Sequence, residues 1–225
     1  DQITVAAAGA VDFDRLVADI EKAAGHWTPS GAQRDYLDPA PDAGELTLTD
    51  KAIEQHYFAV MTPGPSARDP QRYAARILAD VLGDSDGSRL YWELVDPGLA
   101  DDADVTFAPH DGAGNFIAFA SCSPKHADAV EKAVVTALDH ADQNLDPEEI
   151  ERAANKLATA ITLTAENPRG RMSELGTQWA YLGRMLPVDE QIDAVRSVTA
   201  DDLKNLATAY DHFGPRTLAR LTPAS

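Results

Sequence analysis

The stretch that decides the fold runs from Asp104 to Ser121, DVTFAPHDGAGNFIAFAS. Two β-compatible runs, Asp104 to Ala108 and Asn115 to Ser121, flank the turn signal His110-Asp111-Gly112. Phe107, Phe116 and Phe119 supply bulk, and the spacing predicts a hairpin. Beyond Cys122 the pattern turns helical almost to the end. Helices are expected near Pro124 to Asp142, Pro147 to Thr164, Pro168 to Gly183, Val188 to Ser197 and Asp201 to Tyr210, with a short strand at Thr217 to Leu221. Asp146-Pro147-Glu148-Glu149 sets an N-cap acceptor, a proline that loses no amide partner and two carboxylates at a helix start, and Thr199 can cap the last helix.

Upstream of the hairpin, Glu45 to Thr49 and Gln55 to Met61 read as two more strands. Asp69-Pro70 reads as a helix start, and Tyr73, Ile77, Leu78, Val81 and Leu82 give that helix one apolar face before Gly83 stops it. A brief helix is expected over Ser88 to Val95. Strands in hairpin-like pairs followed by a helical block predict an α+β fold, an antiparallel sheet with helices packed on one face. Alternating βαβα units, the mark of a doubly wound parallel sheet, are not seen.

At the beginning, Ile3 to Ala8 is a short apolar strand candidate. Asp12 then caps a helix whose apolar residues Phe13, Leu16, Val17 and Ile20 recur at helical spacing, and Gly25 is the expected stop. Residues 28–44 hold three prolines and two glycines without apolar period and read as a linker. The expected organisation is therefore a strand and helix over 1–27, a linker over 28–44 and a domain over 45–225. The chain opens on Asp1 rather than Met, as a fragment or processed product would, so the lack of a leader pattern says little about compartment.

The 225 residues are 44% hydrophobic, enough for a sizeable core without staples. One cysteine, Cys122, excludes a disulfide framework and a multi-cysteine zinc site, and it reads as a small buried side chain. No run of about 18 apolar residues exists to span a membrane. A net charge of −18 argues against nucleic acid and anionic membrane partners. It reads either as a solvated acidic coat or as an attraction for cationic peptides.

None of the six histidines (His26, His56, His110, His126, His140, His212) has another histidine three to five residues away or a glutamate three residues on. Neither HExxH nor HxxEH is present, so zinc with a glutamate base cannot be held locally, and a site built from distant histidines is the open alternative. Asp84-Ser85-Asp86-Gly87 lacks the further ligands of a calcium loop and reads as a capped polar turn. Arg169 and Arg171 sit in the first turn of a helix, where the dipole disfavours cations. They read either as an anion or carboxylate contact or as partners of acidic neighbours such as Asp189 or Glu174. Trp179 and Tyr181 read as core and rim.

In order along the chain, Ala74 to Gly83, Gly87-Ser88-Arg89-Leu90-Tyr91 and Gly98-Leu99-Ala100 resemble the helix, the SSRL(F/Y) turn and the GLAY segment of the pitrilysin/insulinase zinc metallopeptidases, which include the mitochondrial processing peptidases. The resemblance continues through Asp146 to Ala153, Asn155-Lys156-Leu157, Arg171-Met172, Tyr181-Leu182-Gly183 and Val198 to Leu203. Ala8-Gly9-Ala10-Val11-Asp12 is similar to the GDVD that closes the preceding half in that family.

The resemblance implies a processing-peptidase/LuxS-like metallohydrolase domain, the non-catalytic C-terminal half of a two-half enzyme. Zinc is then expected only in the partner half, with no cofactor and no catalytic residue in this chain. The implied role is a chamber wall that helps hold peptide or unfolded protein, by strand addition among other modes, opposite a zinc-bearing half or subunit. The alternative is a structural assembly subunit derived from an inactive homologue; a homodimer is a further partner reading. A soluble setting in a bacterial cytoplasm or periplasm is expected. One departure stands out: Val95 occupies the position near a family arginine and Asp101 replaces the tyrosine of GLAY, in a segment one residue shorter. Valine cannot donate to an oxyanion and aspartate repels one. Arg89 and Tyr91 are the candidate substitutes, and with Arg169 and Arg171 they form the candidate peptide-binding or partner-facing set.

Overall fold

Burial alternates along Phe58-Ala59-Val60-Met61-Thr62, where Phe58, Val60 and Thr62 face inward, and the same period of two recurs in Val105-Thr106-Phe107 and Phe116-Ile117-Ala118. In a computed structural model describing residues 3–32 and 43–224, these runs lie in a five-stranded sheet of order β1-β5-β2-β4-β3. The strands are β1 Gly44–Asp50, β2 His56–Gly64, β3 Asp102–Pro109, β4 Gly114–Cys122 and β5 Thr217–Pro223. Among the described residues seven α-helices accompany them: α1 Phe13–Ala24, α2 Arg72–Gly83, α3 Ala127–Asp139, α4 Pro147–Glu166, α5 Pro168–Leu182, α6 Val188–Arg196 and α7 Ala200–Ala209.

The β3–β4 hairpin forms as expected, with Phe107 opposite Phe116, and β2 pairs antiparallel with β4. The sheet is nevertheless mixed. β1 does not join β2 in a hairpin; β5 inserts between them, antiparallel to β2 and parallel to β1. The physical reason lies in the side chains turned toward the helices: β1 offers Glu45, Thr47 and Thr49 there, whereas β5 packs Leu218 against the core and bonds Arg220 to Glu131 of the helical layer. The strand expected at Ile3 to Ala8 makes no ladder among the described residues. It runs instead beside α5, where Ala6 Cβ lies 3.2 Å from the place a Cβ on Gly176 would take. The linker expected over 28–44 lies largely outside the described residues.

Helices α2, α3 and α7 bury their apolar stripes with the inner face of the sheet. Ile77, Leu78 and Leu82 of α2, Val130, Val134 and Leu138 of α3, and Leu203 and Leu206 of α7 meet Phe58, Val60, Val105 and Phe116 in one core. Each fully buried side chain of this kind contributes roughly 1.5–3 kcal/mol. Phe116 anchors the cluster, with ring centroids 5.2 Å from Phe107 and 4.9 Å from Phe213. At Gly83 the last turn of α2 closes on β3 so tightly that a Cβ would sit 2.3 Å from the Val105 nitrogen.

Side chains expected as caps do cap. Asp12 accepts from the Arg15 amide (3.1 Å), Asp146 from that of Glu148 (3.0 Å), and Thr199 shares a reciprocal capping box with Asp202. Asp69 departs from expectation. It accepts from the Gln71 amide (2.8 Å) within a turn that contains Pro70, and α2 begins after it, at Arg72. The helix expected over Ser88 to Val95 is a π-turn, closed by the Asp96 amide on the Tyr91 carbonyl at 2.9 Å. Gly183 ends α5 with φ 65°, the left-handed conformation glycine adopts without cost.

Candidate functional site

Because successive strand residues point to opposite faces, the residues left over from the core define a second surface. Leu46 and Leu48 of β1, Ala219 and Leu221 of β5, Tyr57, Ala59 and Met61 of β2, and Ile117 and Phe119 of β4 lie across this face in register. None is buried; Leu46, Leu48 and Met61 are 54%, 53% and 46% exposed. Tyr57 and Phe119 stack with ring centroids 6.3 Å apart. A contiguous apolar sheet face of this kind marks an interaction surface.

The β3 margin of the face is acidic. Asp104 lies opposite Phe119 and Asp102 opposite Ser121. Burial, reinforced by the Asp102 charge, pushes the Asp104 carboxyl above its ordinary range. Asp101, the residue in place of the GLAY tyrosine, accepts from the Gln55 side-chain Nε2 at 3.0 Å. Backbone, acids and apolar side chains here can bind an extended or helical segment; they present no nucleophile with a paired base.

The sequence-selected residues do not converge on one site. Arg89 spans the α3–α4 loop, donating through Nη1 to the Gln143 carbonyl (2.9 Å) and through Nη2 to the Asn144 carbonyl (2.8 Å) and Glu149 (3.2 Å). Tyr91 is partly exposed and meets Trp92 edge-on at 5.0 Å. Arg171 pairs with Glu174 at 3.4 Å, and Arg169 is exposed on the first turn of α5. Arg89 holds the first turn of the 20-residue α4 while Arg169 and Arg171 follow its last, so about 30 Å separates the two pairs.

The polar turn at Asp84–Gly87 is tied to α4: Asp84 pairs with Lys156, and Arg152 donates to the Gly87 carbonyl at 2.9 Å. Cys122 is 1% exposed, and burial raises its thiol pKa. Trp179, expected in the core, is 51% exposed because α5 buries only Gln178. With Ile3, Val5, Val11, Phe13 and Met185 it lines a cleft of about 530 Å³. The apolar stripe of α1 is likewise uncovered, Phe13 being 72% exposed.

Two polar networks escape sequence reasoning. Glu131 of α3 holds two strands at once: Oε1 meets His56 Nε2 at 2.9 Å and Oε2 accepts from Arg220 Nε at 2.8 Å, while Arg220 also reaches Glu45 (3.1 Å). Glu174 accepts from Gln178 (2.9 Å) and Gln191 (2.6 Å), and Gln178 accepts from the Leu186 amide (2.8 Å), joining α5 to α6. A charged residue in phase with a buried strand face, as His56 and Arg220 are with Phe58, was the one available sign of the first. Among the described residues the histidines do not gather into a metal-binding group. His56 is engaged by Glu131, His140 lies against the Thr136 carbonyl, and no group of three or more His, Cys, Asp or Glu able to hold a metal occurs among the described residues. No described helix is long and apolar enough to cross a membrane.

Comparison with known proteins agrees with this architecture. Residues 1–157 match the family described as peptidase M16 inactive domain. An uncharacterized zinc protease of Streptomyces coelicolor is 31% identical over 226 residues, covering 95% of this chain and 48% of that protein. A peptidase M16 inactive domain from Pseudomonas fluorescens superposes with a TM-score of 0.81 at 19% identity, covering 96% of this chain and 53% of that one. A chain of the Inz-5-bound complex III of Candida albicans gives 0.79 at 14% identity, covering 94% and 53%. The chain thus spans about half the length of the curated relatives it matches.

Proposed function

This chain belongs to the peptidase M16 inactive-domain family, and from that premise we propose that it is the metal-free wall of a two-half zinc peptidase. Residues 45–225 form the wall, 28–44 the linker, and 1–27 the strand and helix that close the neighbouring half. The observation that carries this reading is the open apolar sheet face opposite the helical layer. The lone segment Ile3 to Ala8, without a ladder among the described residues, and the uncovered stripe of α1 support it: each is shaped for a companion sheet. Zinc and its activated water belong to the companion half. This chain's residues exclude water from the chamber and hold peptide, and Asp101, Asp102 and Asp104 favour cationic segments over acidic ones. Arg89 stabilises the helical layer, while Tyr91 and Arg169 remain accessible for contact with peptide or partner.

Co-expression with a separately encoded zinc-bearing half is the test. A one-to-one complex by light scattering is expected, and it is lost when Met61→Asp and Phe119→Asp are combined in the open face. Absence of any complex with the wild-type chain refutes the reading.

A second reading, an assembly subunit without proteolysis, draws on Val95 and Asp101, which remove the donors the family resemblance implies. An intact HxxEH in the companion half favours the peptidase, and its loss favours the scaffold.

A further inference from the structure

β1 forms one margin of the sheet, and among the described residues nothing pairs with its outer side. Its ladder with β5 fixes where each backbone group points. The Gly44 amide donates to the Arg216 carbonyl (3.3 Å), and the Asp50 carbonyl accepts from the Ala224 amide (3.0 Å). Gly44, Leu46, Leu48 and Asp50 therefore turn their N–H and C=O toward β5, and Glu45, Thr47 and Thr49 turn theirs outward. The strand carries none of the usual guards of an open edge, no proline, lysine or bulge, and its acids stand only near its ends.

We propose that this edge pairs antiparallel with the same edge of a second copy of the chain, about a twofold axis through Thr47. In that register Thr47 faces Thr47 and Glu45 faces Thr49. The hydrogen-bonded positions are then the three outward residues, and every outward donor and acceptor on both copies finds a partner. Leu46 faces Leu48 twice, at the closely spaced positions of the ladder, and covers side chains now more than half exposed.

No acid opposes an acid: Asp50 meets Gly44, and Glu45 stays paired with Arg220 on its own chain. Sliding the register leaves outward groups unpaired, and toward one end it sets Glu45 against Glu45. This self-complementarity is what selects a second copy over an unrelated extended peptide. The pairing is isologous and closed, so it stops at two copies. The net charge of −18 on each copy opposes their approach, and added salt screens that repulsion.

Light scattering on the 225-residue chain across concentration, at low and high salt, tests the proposal. The mass is expected to rise from one chain toward two with concentration, and further with salt. Thr47→Pro removes an outward amide without touching the β5 ladder and is expected to stay monomeric. Thr47→Lys and Thr47→Glu each place like charges across the axis and are expected to be monomeric alone, while an equimolar mixture restores the dimer. Far-UV circular dichroism checks the fold of each variant, and the Lys/Glu mixture decides the matter if the proline variant does not fold. A wild-type chain that stays monomeric throughout, a dimer indifferent to Thr47, or a Lys/Glu mixture that fails to associate overturns it. So does a monomeric chain whose edge takes up an extended peptide instead.

Discussion

Replacing Glu131 by alanine probes the contact that fastens the helical layer to two strands at once. The carboxylate side chain is 17% exposed, and its partners His56 and Arg220 are 5% and 23% exposed. A hydrogen bond to a charged group contributes about 1.5–3 kcal/mol, and leaving a buried partner unmatched adds its desolvation cost. Two such bonds are lost. Arg220 keeps Glu45 and can swing toward solvent, so its share is reduced. His56 has no such exit. The expected loss is about 2–4 kcal/mol, read as a fall in the urea midpoint at unchanged slope. Glu131→Gln retains the shape and one acceptor and is expected to cost about 1 kcal/mol. Asp19→Ala, which removes the exposed i,i+4 partner of Arg15, serves as the control and should change stability by less than about 0.5 kcal/mol. If Glu131→Ala unfolds at the same urea concentration as Asp19→Ala, the network does not hold the layers together and the reasoning fails.

Gly83→Ala drives a Cβ to 2.3 Å from the Val105 nitrogen, a backbone atom that cannot give way cheaply, so a loss of about 1–3 kcal/mol is expected in thermal or urea unfolding. Thr199→Ala removes the α7 cap at a cost of about 1 kcal/mol at neutral pH. Hydrogen bonds from the Thr199 side chain and backbone hold the Asp202 carboxyl below its ordinary range, so its contribution is full above that range and is lost as pH falls through the lowered value. The difference between wild type and Thr199→Ala should therefore shrink in acid; a constant difference would exclude the cap as its source. Gln178→Leu deprives the buried Leu186 amide of its acceptor and is expected to cost about 1–3 kcal/mol, with faster amide exchange at the α5–α6 junction.

Much of this molecule is written locally. The hairpin of β3 and β4 follows from two β-compatible runs flanking His110-Asp111-Gly112, and the starts of α4 and α7 follow from Asp146 and Thr199. The position of β5 is not local. It is decided far apart in the chain, where β1, polar on the side turned to the helices, yields the inner place to β5 with its Leu218. The candidate arginines illustrate a second limit. Arginine in a turn or at a helix start signals a demand for acceptors, but only the folded chain shows that Arg89 finds them in the α3–α4 loop and Arg171 in Glu174. Glu131 gave no sign at all on its own helix, because its partners are set by the strand faces it packs against. The open sheet face was legible in part, since the alternation that places Phe58 inside places Tyr57 and Met61 outside.

Hydrolysis of a quenched fluorogenic peptide by the purified chain, with and without a zinc chelator, tests the assignment as a metal-free half most directly. The fluorescence should stay at the buffer baseline in both arms. A turnover signal that the chelator abolishes would place a working zinc centre within these 225 residues and contradict the account.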